Sequence, residues 1–322
     1  MQYKLILAAT ALALAGFHTA SMAQDPDALK IMVGGSFAKP KIMPRLERLA
    51  IAQLTVNYKL TSTQTTVGKE KSFMGGSKMA GAKITAYLET TDGELTEADF
   101  QEVTDHFYSY FQKKLKSSGI DTVAWSKITA TDFYKSNEDE ADGKEEKEAD
   151  QVKVTCNAKK GARIYGGSTA FAFGKAKKAT NFCEDVNAPA GFFNVTVDFA
   201  DLMADVDIKT QRSEKKEKTT TSYSASTKPN MKVTPVANAG FTLLWNEKSQ
   251  SESVVVQKDI ASGLPYHTGL TQDPSRIKNR AFAFAKSMKP VVIETTREQY
   301  KAAAKKALEK YVDTFIATAK QS

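Results

Sequence analysis

A mixed α/β fold, built on a mixed sheet with a central βαβ unit, an antiparallel C-terminal meander and a C-terminal helix, follows from three stretches. Residues 95–119 carry Phe100, Val103, Phe107, Tyr110 and Phe111 at spacings of three and four, the stripe of an amphipathic helix. Residues 191–212 set Val195, Val197 and Phe199 against Thr196 and Asp198, the alternation of a strand. Residues 297–320 repeat Tyr300, Ala304, Leu308, Tyr311, Phe315 and Ala319 at helical spacing.

The chain opens with Lys4, an apolar run from Leu5 to Phe17, and small residues at Ser21 and Ala23. That order predicts a secretory signal peptide over 1–23, cleaved between Ala23 and Gln24. The run is shorter than the ~20 residues of a spanning helix, so no integral membrane span is expected. Residues 24–45 read as an N-terminal arm. Residues 46–322 read as a single α/β domain, for which a hydrophobic content of 41% supplies a core.

In RLERLAIAQLTVNYKL (45–60), Leu54, Val56, Tyr58 and Leu60 alternate with polar residues, while LAIA is apolar on both sides, as in a strand covered on both faces. Residues 61–82 are polar and Gly-rich and are expected to form a mobile loop or loose hairpin. Gly76 and Gly81 have a phosphate loop's spacing, but Ala82 stands where its lysine belongs, so the pattern fails. AKITAYLET (82–90) reads as a strand. In the helix that follows, Thr96 is the N-cap with Asp99 three residues on, and Gly119 is the stop. IDTVAW (120–125) reads as the second strand of the βαβ unit, paired in parallel with the first. ITATDFYKSN (128–137) suggests a short helix.

Residues 138–150 hold eight acids and two lysines, a solvated mobile loop that lacks the ligand pattern of a calcium site. VKVTC and 162–174 read as strands, interrupted by KAKKATNFCEDVNAPA. Residues 213–230, charged and rich in Ser and Thr, read as a third mobile connection. Residues 231–248 and 251–260 complete the meander, with Pro235 at an edge or bulge. RIKNRAFAFAKSM (276–288) is expected to be helical, before VVIET and the final helix.

The chemistry of catalysis is thin. His106 flanks the helix stripe and His267 sits in a turn; no metal cluster, nucleophile elbow or cofactor motif is present. Asp198, Asp201, Asp205 and Asp207 cannot be paired from sequence, which leaves a carboxylate-dependent hydrolase as a distant alternative. Asn194-Val195-Thr196 fits a glycosylation sequon, and Tyr165 reads as core or contact. The two cysteines, Cys156 and Cys183, are expected to pair in an oxidising compartment, where closing such a loop stabilises by ~3 kcal/mol. The net charge of +8 is spread through Lys-rich loops without a nucleic-acid motif, so no nucleic-acid partner is expected.

The order of segments resembles the exported α/β proteins that include the curli secretion channel subunit and the lipoprotein activators of penicillin-binding proteins. LAIAQLTV corresponds to the opening strand, TEADFQEVTDHFYSYFQKKLKSSG to the helix, and VTVDFADLMADVDIKTQR with VANAGFTLLWNEKSQSESVVVQKDI to the long strand and hairpin. The likeness covers roughly residues 46–258. This chain lacks the acylation cysteine usual there, and SEKKEKTTTSYSASTKPN is poor in apolar residues for facing lipid. The resemblance implies a periplasmic or secreted envelope scaffold or adaptor, peripheral to the outer membrane and bound to an envelope protein or polymer. A secretion channel subunit is the alternative, and homo-oligomerisation is left open.

Overall fold

The computed structural model describes residues 26–33, 39–71, 77–135, 145–148, 151–158, 175–213, 216–235, 242–276 and 285–321. The signal sequence expected at 1–23, with Ala23 and Gln24 at its cleavage point, Tyr165, the strand expected at 162–174 and most of the acidic run at 138–150 lie outside them. In chain order the elements are β1 (Leu29–Val33), β2 (Arg48–Lys59), β3 (Thr61–Lys71), β4 (Ser77–Thr90), α1 (Glu97–Ser117), β5 (Asp121–Thr122), α2 (Trp125–Thr129) and α3 (Asp132–Lys135). There follow β6 (Glu145–Glu148), β7 (Gln151–Asn157), α4 (Lys175–Val186), β8 (Ala190–Ser213), β9 (Lys216–Thr234), β10 (Thr242–Trp245) and β11 (Ser251–Val256). Last come β12 (Ile260–Ala261), β13 (His267–Gln272), β14 (Ala285–Ser287), β15 (Val291–Thr295) and α5 (Arg297–Gln321).

The strands form two mixed sheets. A ten-stranded sheet runs β1-β11-β10-β8-β2-β7-β6, with β5 on β2, β9 on β8 and β12 on β9. A five-stranded sheet runs β13-β15-β4-β14, with β3 on β4. The mixed α/β class, the antiparallel C-terminal meander and the C-terminal helix are as the sequence predicts. The arm at 24–45 adds an edge strand, β1, antiparallel to β11.

β2 lies at the centre of the larger sheet and shows why LAIA is apolar throughout. Leu49 and Ile51 enter the main core, while Ala50 and Ala52 enter a second core on the other side. A register shift against β8 between Ile51 and Gln53 then moves the inward parity by one residue. Leu54, Val56 and Tyr58 therefore join Leu49 and Ile51 in the main core.

α1 forms where its caps and stripe place it. Thr96 N–H and Oγ1–H both donate to Asp99 Oδ2 at 2.8 Å, and Gly119 ends the helix at φ 82°, with Ile120 N–H donating to Leu115 O at 3.0 Å. Phe100, Val103, Phe107, Phe111 and Leu115 are buried, and so is Tyr108. Tyr110, expected in the stripe, is half-buried, its hydroxyl donating to Asp313 at 3.1 Å. α5 runs beside α1 in the same direction. The ring of Phe107 lies 6.0 Å from that of Tyr311, and that of Phe111 lies 5.3 Å from that of Phe315. Polar pairs flank these aromatics turn by turn: Arg297–Asp99 at 2.7 Å, Lys301–Glu102 at 2.8 Å, His106–Glu309 at 3.0 Å and Lys114–Asp313 at 2.8 Å.

Several sequence expectations are corrected. α1 leads from β4 to β5, but these strands lie in different sheets. The parallel partner of β5 is β2, because the β3–β4 hairpin intervenes and carries β4 away. Of the loop or hairpin expected over 61–82, the hairpin holds: β3 pairs with β4 from Thr61↔Tyr87 to Lys71↔Ser77, and the mobile loop is the reading that is dropped. Residues 216–230 belong to β9, paired along its length with β8, so the expected connection is a strand. The interrupting stretch at 175–186 is α4, which buries Ala179, Phe182, Cys183 and Val186. Residues 285–287, expected at a helix end, are a strand parallel to β4. No disulfide joins Cys156 and Cys183. Cys156 on β7 belongs to the main core, and Cys183 on α4 to the core on the opposite side of the sheet, so the sheet itself separates them.

Candidate interaction surface

Two long hairpins, β3–β4 and β8–β9, pack face to face and form the most distinctive feature of the molecule. Strand β8 is 24 residues long and β9 is 19, both well beyond the 5–6 typical of a globular sheet. The inner half of β8 is core: Phe193, Val195, Val197 and Phe199 are buried. Among the described residues β8 pairs from Ala200 onward with β9 alone, and the two become an arm.

Alternation divides the arm into two faces. Ala204, Val206, Ile208 and Thr210 stand across from Ala225, Tyr223, Thr221 and Thr219 and point inward. Asp205, Asp207 and Lys209, with Ser222, Ser224 and Ser226, are exposed on the outer face, where Met203 is 67% exposed. The inward face meets β3–β4 through small groups. A Cβ on Gly68 would stand 3.0 Å from the carbonyl oxygen of Val206, so glycine permits the close approach. Thr210 Oγ1 donates to Glu70 Oε2 at 2.6 Å, and Lys78 Nζ donates to Thr219 Oγ1.

A charged network fixes the base of the arm at the bulge between Asp198 and Ala200. Buried Asp198 accepts from its neighbours' backbone, Phe199 N–H at 2.8 Å and Ala200 N–H at 3.3 Å. It also accepts from Lys59 at 2.8 Å and Ser62 at 3.2 Å. Lys232 bridges Asp201 and Asp259, the latter at 2.5 Å. Burial would lower the Lys232 pKa, but these two carboxylates outweigh it and hold the ammonium above its ordinary range. Tyr266 donates from its hydroxyl to Phe199 O, tying the base to the segment ahead of β13.

Of the residues singled out in the sequence, Asp198 and Asp201 come together at this base, each held by a lysine. Asp205 and Asp207 lie on the exposed outer face. His106 pairs with Glu309 between the helices, and His267 is exposed at the start of β13. Asn194 lies in β8, where its side-chain oxygen accepts from Asn57 at 2.6 Å. Burial pushes the Cys183 thiol up to about 12, as in an inert packed cysteine. Among the described residues no group of His, Cys, Asp and Glu could hold a metal, and no helix is long and apolar enough to cross a membrane.

The arm's edges are open. Among the described residues β3, 11 residues long, pairs only with β4, and β9 before Met231, whose carbonyl accepts from Ser262 N–H, pairs only with β8. Such rows of N–H and C=O groups are templates for a further strand. The sequence signal for this surface was the long alternation of residues 195–212, but its partner strand carried none in hydrophobicity. No protein-family model, curated protein or solved structure matches the chain.

Proposed function

We propose that the protein is an exported, non-enzymatic scaffold or adaptor of the cell envelope that engages another envelope component through the two-hairpin arm. The observation that carries this reading is the pair of long, face-to-face hairpins with open strand edges. Strand addition to such an edge gives affinity through the main chain and specificity through alternate side chains. The signal sequence read at 1–23 supports export, and the helix-backed sheet supplies a rigid base for the arm.

The test removes the arm without disturbing the base. Asp205 and Ser224 stand opposite each other, so deleting 206–223 and closing with a tight turn preserves register. The shortened protein should melt close to the parent. It should lose an envelope component that the full chain retains after cross-linking in native envelopes. Equal retention by both would sink the arm as the docking element.

A second reading, a subunit of an outer-membrane channel, is favoured by one observation. The strands reach 24, 19, 11 and 14 residues, against the ~9–11 of a membrane-crossing strand, and both hairpins hide their small and apolar faces against each other. If the hairpins open, Val206 and Ile208 with Ala80, Ala82 and Ile84 would meet lipid. Ring-shaped particles released only by detergent would favour that reading over the adaptor.

A further inference from the structure

A cleft at one end of the ten-stranded sheet's central strands is built from three separate parts of the chain, two of which bring positive charge. It encloses about 530 Å³ between the 3-10 turn at Met43–Arg45, the junction of α4 with β8, and the β10–β11 turn. Lys41, Arg45, Arg48 and Lys248 line it, against Glu47 and Glu247. Among the described residues none of the four cations takes part in an ion pair, whereas the lysines at the arm's base and between the helices are paired.

Each wall is pinned by buried polar groups. Glu252, 1% exposed, accepts the backbone N–H groups of Lys41, Ile42 at 2.6 Å and Met43 at 2.9 Å, which fixes the approach to Arg45. Buried Asn246 accepts from Lys248 N–H at 3.0 Å and Gln250 N–H at 2.9 Å, which fixes the turn. In that turn Ser249 adopts φ 55°, a conformation L-residues rarely take, and its hydroxyl bonds Thr180 of α4 at 2.8 Å. The third wall is held by Ala50 N–H donating to Pro189 O at 2.9 Å, beside Asn187, which ends α4 at φ 53°. The arrangement is a preorganised cationic recess. A collection of loose surface lysines would show neither the anchored walls nor the convergence.

We propose that this cleft binds a phosphate-bearing ligand, with Arg45 and Arg48 as the principal contacts and Lys41 and Lys248 completing the charge. Guanidinium groups match phosphate oxygens with paired hydrogen bonds, and two arginines on one side favour a phosphate over a single carboxylate. The volume falls in the range of small-molecule sites, ~300–1,000 Å³, and exceeds a bare phosphate, so the ligand carries a further moiety. The phosphate belongs to a soluble phosphate ester or to a lipid headgroup, and the recess recognises the chemistry common to both.

The experiment uses the full chain with two probes. Pyrophosphate binding is followed by calorimetry, and sedimentation is followed with phosphatidylcholine vesicles, plain or containing phosphatidic acid. Arg45→Ala with Arg48→Ala is compared with Lys209→Ala with Lys228→Ala, which removes equal charge from the hairpin arm. Lys41→Ala with Lys248→Ala, both exposed side chains, stands in if the arginine pair impairs folding. Saturable binding of either probe, weakened about tenfold or more by the cleft variants and unchanged by the arm variant, supports the site. Vesicle binding without pyrophosphate binding assigns a headgroup, and the reverse assigns a soluble ester. Absence of saturable binding to both probes, or equal weakening by cleft and arm variants, overturns it.

Discussion

The helix-covered core and the two-hairpin arm are stabilised in different ways. Between α1, α5 and the large sheet, aromatic rings fill the space: Phe107, Phe111, Phe193, Tyr311 and Phe315 are all fully buried. In the arm the contacts are Gly68 against Val206, Thr210 on Glu70 and Lys78 on Thr219, and the ladder between β8 and β9 supplies the order. The core is therefore held by large aromatic area, and the arm by backbone pairing, close approach and a thinner apolar seam in which Ala204, Val206 and Tyr223 join the main core. A protein built this way can present a changeable surface on a base that tolerates little change.

The largest effect should come from the core. Phe107 lies between Phe111, with ring centroids 6.1 Å apart, and Tyr311. Phe107→Ala should cost about 3–5 kcal/mol from lost burial and the cavity left behind. Ile208→Ala, in the half-buried arm, should cost about 1 kcal/mol, the ordinary size for a partly buried site. Urea unfolding of the two variants measures the contrast. Equal losses would show that the arm is as integral to the fold as the core.

Next is Asp99, which joins the two helices. Burial works against its charge, but the Thr96 backbone and hydroxyl and the Arg297 guanidinium outweigh burial and hold the carboxyl below its ordinary range. A depressed folded pKa means stability present above the unfolded value of ~3.9, and lost as pH falls through the lower folded value. Asp99→Asn should cost about 2 kcal/mol near neutral pH, the size of a hydrogen bond to a charged group. Melting curves of parent and variant should converge in acid. A gap that stays constant from neutral to strongly acidic pH would remove the ionised carboxylate from the account.

What could be read from the sequence follows the same division. α1, α5 and the doubly buried start of β2 were legible because their large apolar residues repeat at helical or strand spacing. β3 and β9 were not, because Thr, Ser, Lys and Ala alternate there without contrast in hydropathy, and only pairing with β4 and β8 shows which face is inward. α4 was within reach: Ala179, Phe182, Cys183 and Val186 stand at i, i+3, i+4 and i+7, and the lysines ahead of them masked the pattern. The sheet that parts the two cysteines, and the register that brings Lys248 beside Arg45 and Arg48, are tertiary facts with no local signal.

A smaller effect tests the arm itself. Gly68→Val would place a branched side chain against the Val206 backbone, where even a Cβ is crowded. Relief by separation of the hairpins should cost about 1 kcal/mol, the lower end for overpacking, because the arm is anchored at one end only. Hydrogen exchange should speed up in β3 and in β8 beyond Ala204, with the urea midpoint close to the parent's. Unchanged exchange there would mean that the hairpins do not depend on close contact.

The smallest effect belongs to Glu102 of α1. The structure puts it at the flank facing α5, where hydrogen bonds from Lys301 and Lys305 hold its carboxyl below the ordinary range. Its side chain is still 48% exposed, so water and salt screen both pairs. Glu102→Ala should therefore cost under about 1 kcal/mol, the range of surface ion pairs, and the difference should shrink further in high salt. The comparison with Phe107 decides what holds the two helices together. If Glu102→Ala approaches the loss seen for Phe107→Ala, the polar pairs along the α1–α5 seam, and not the rings beneath them, fix the helices. The contrast between an aromatic core and a backbone-paired arm would then fail at its strongest point.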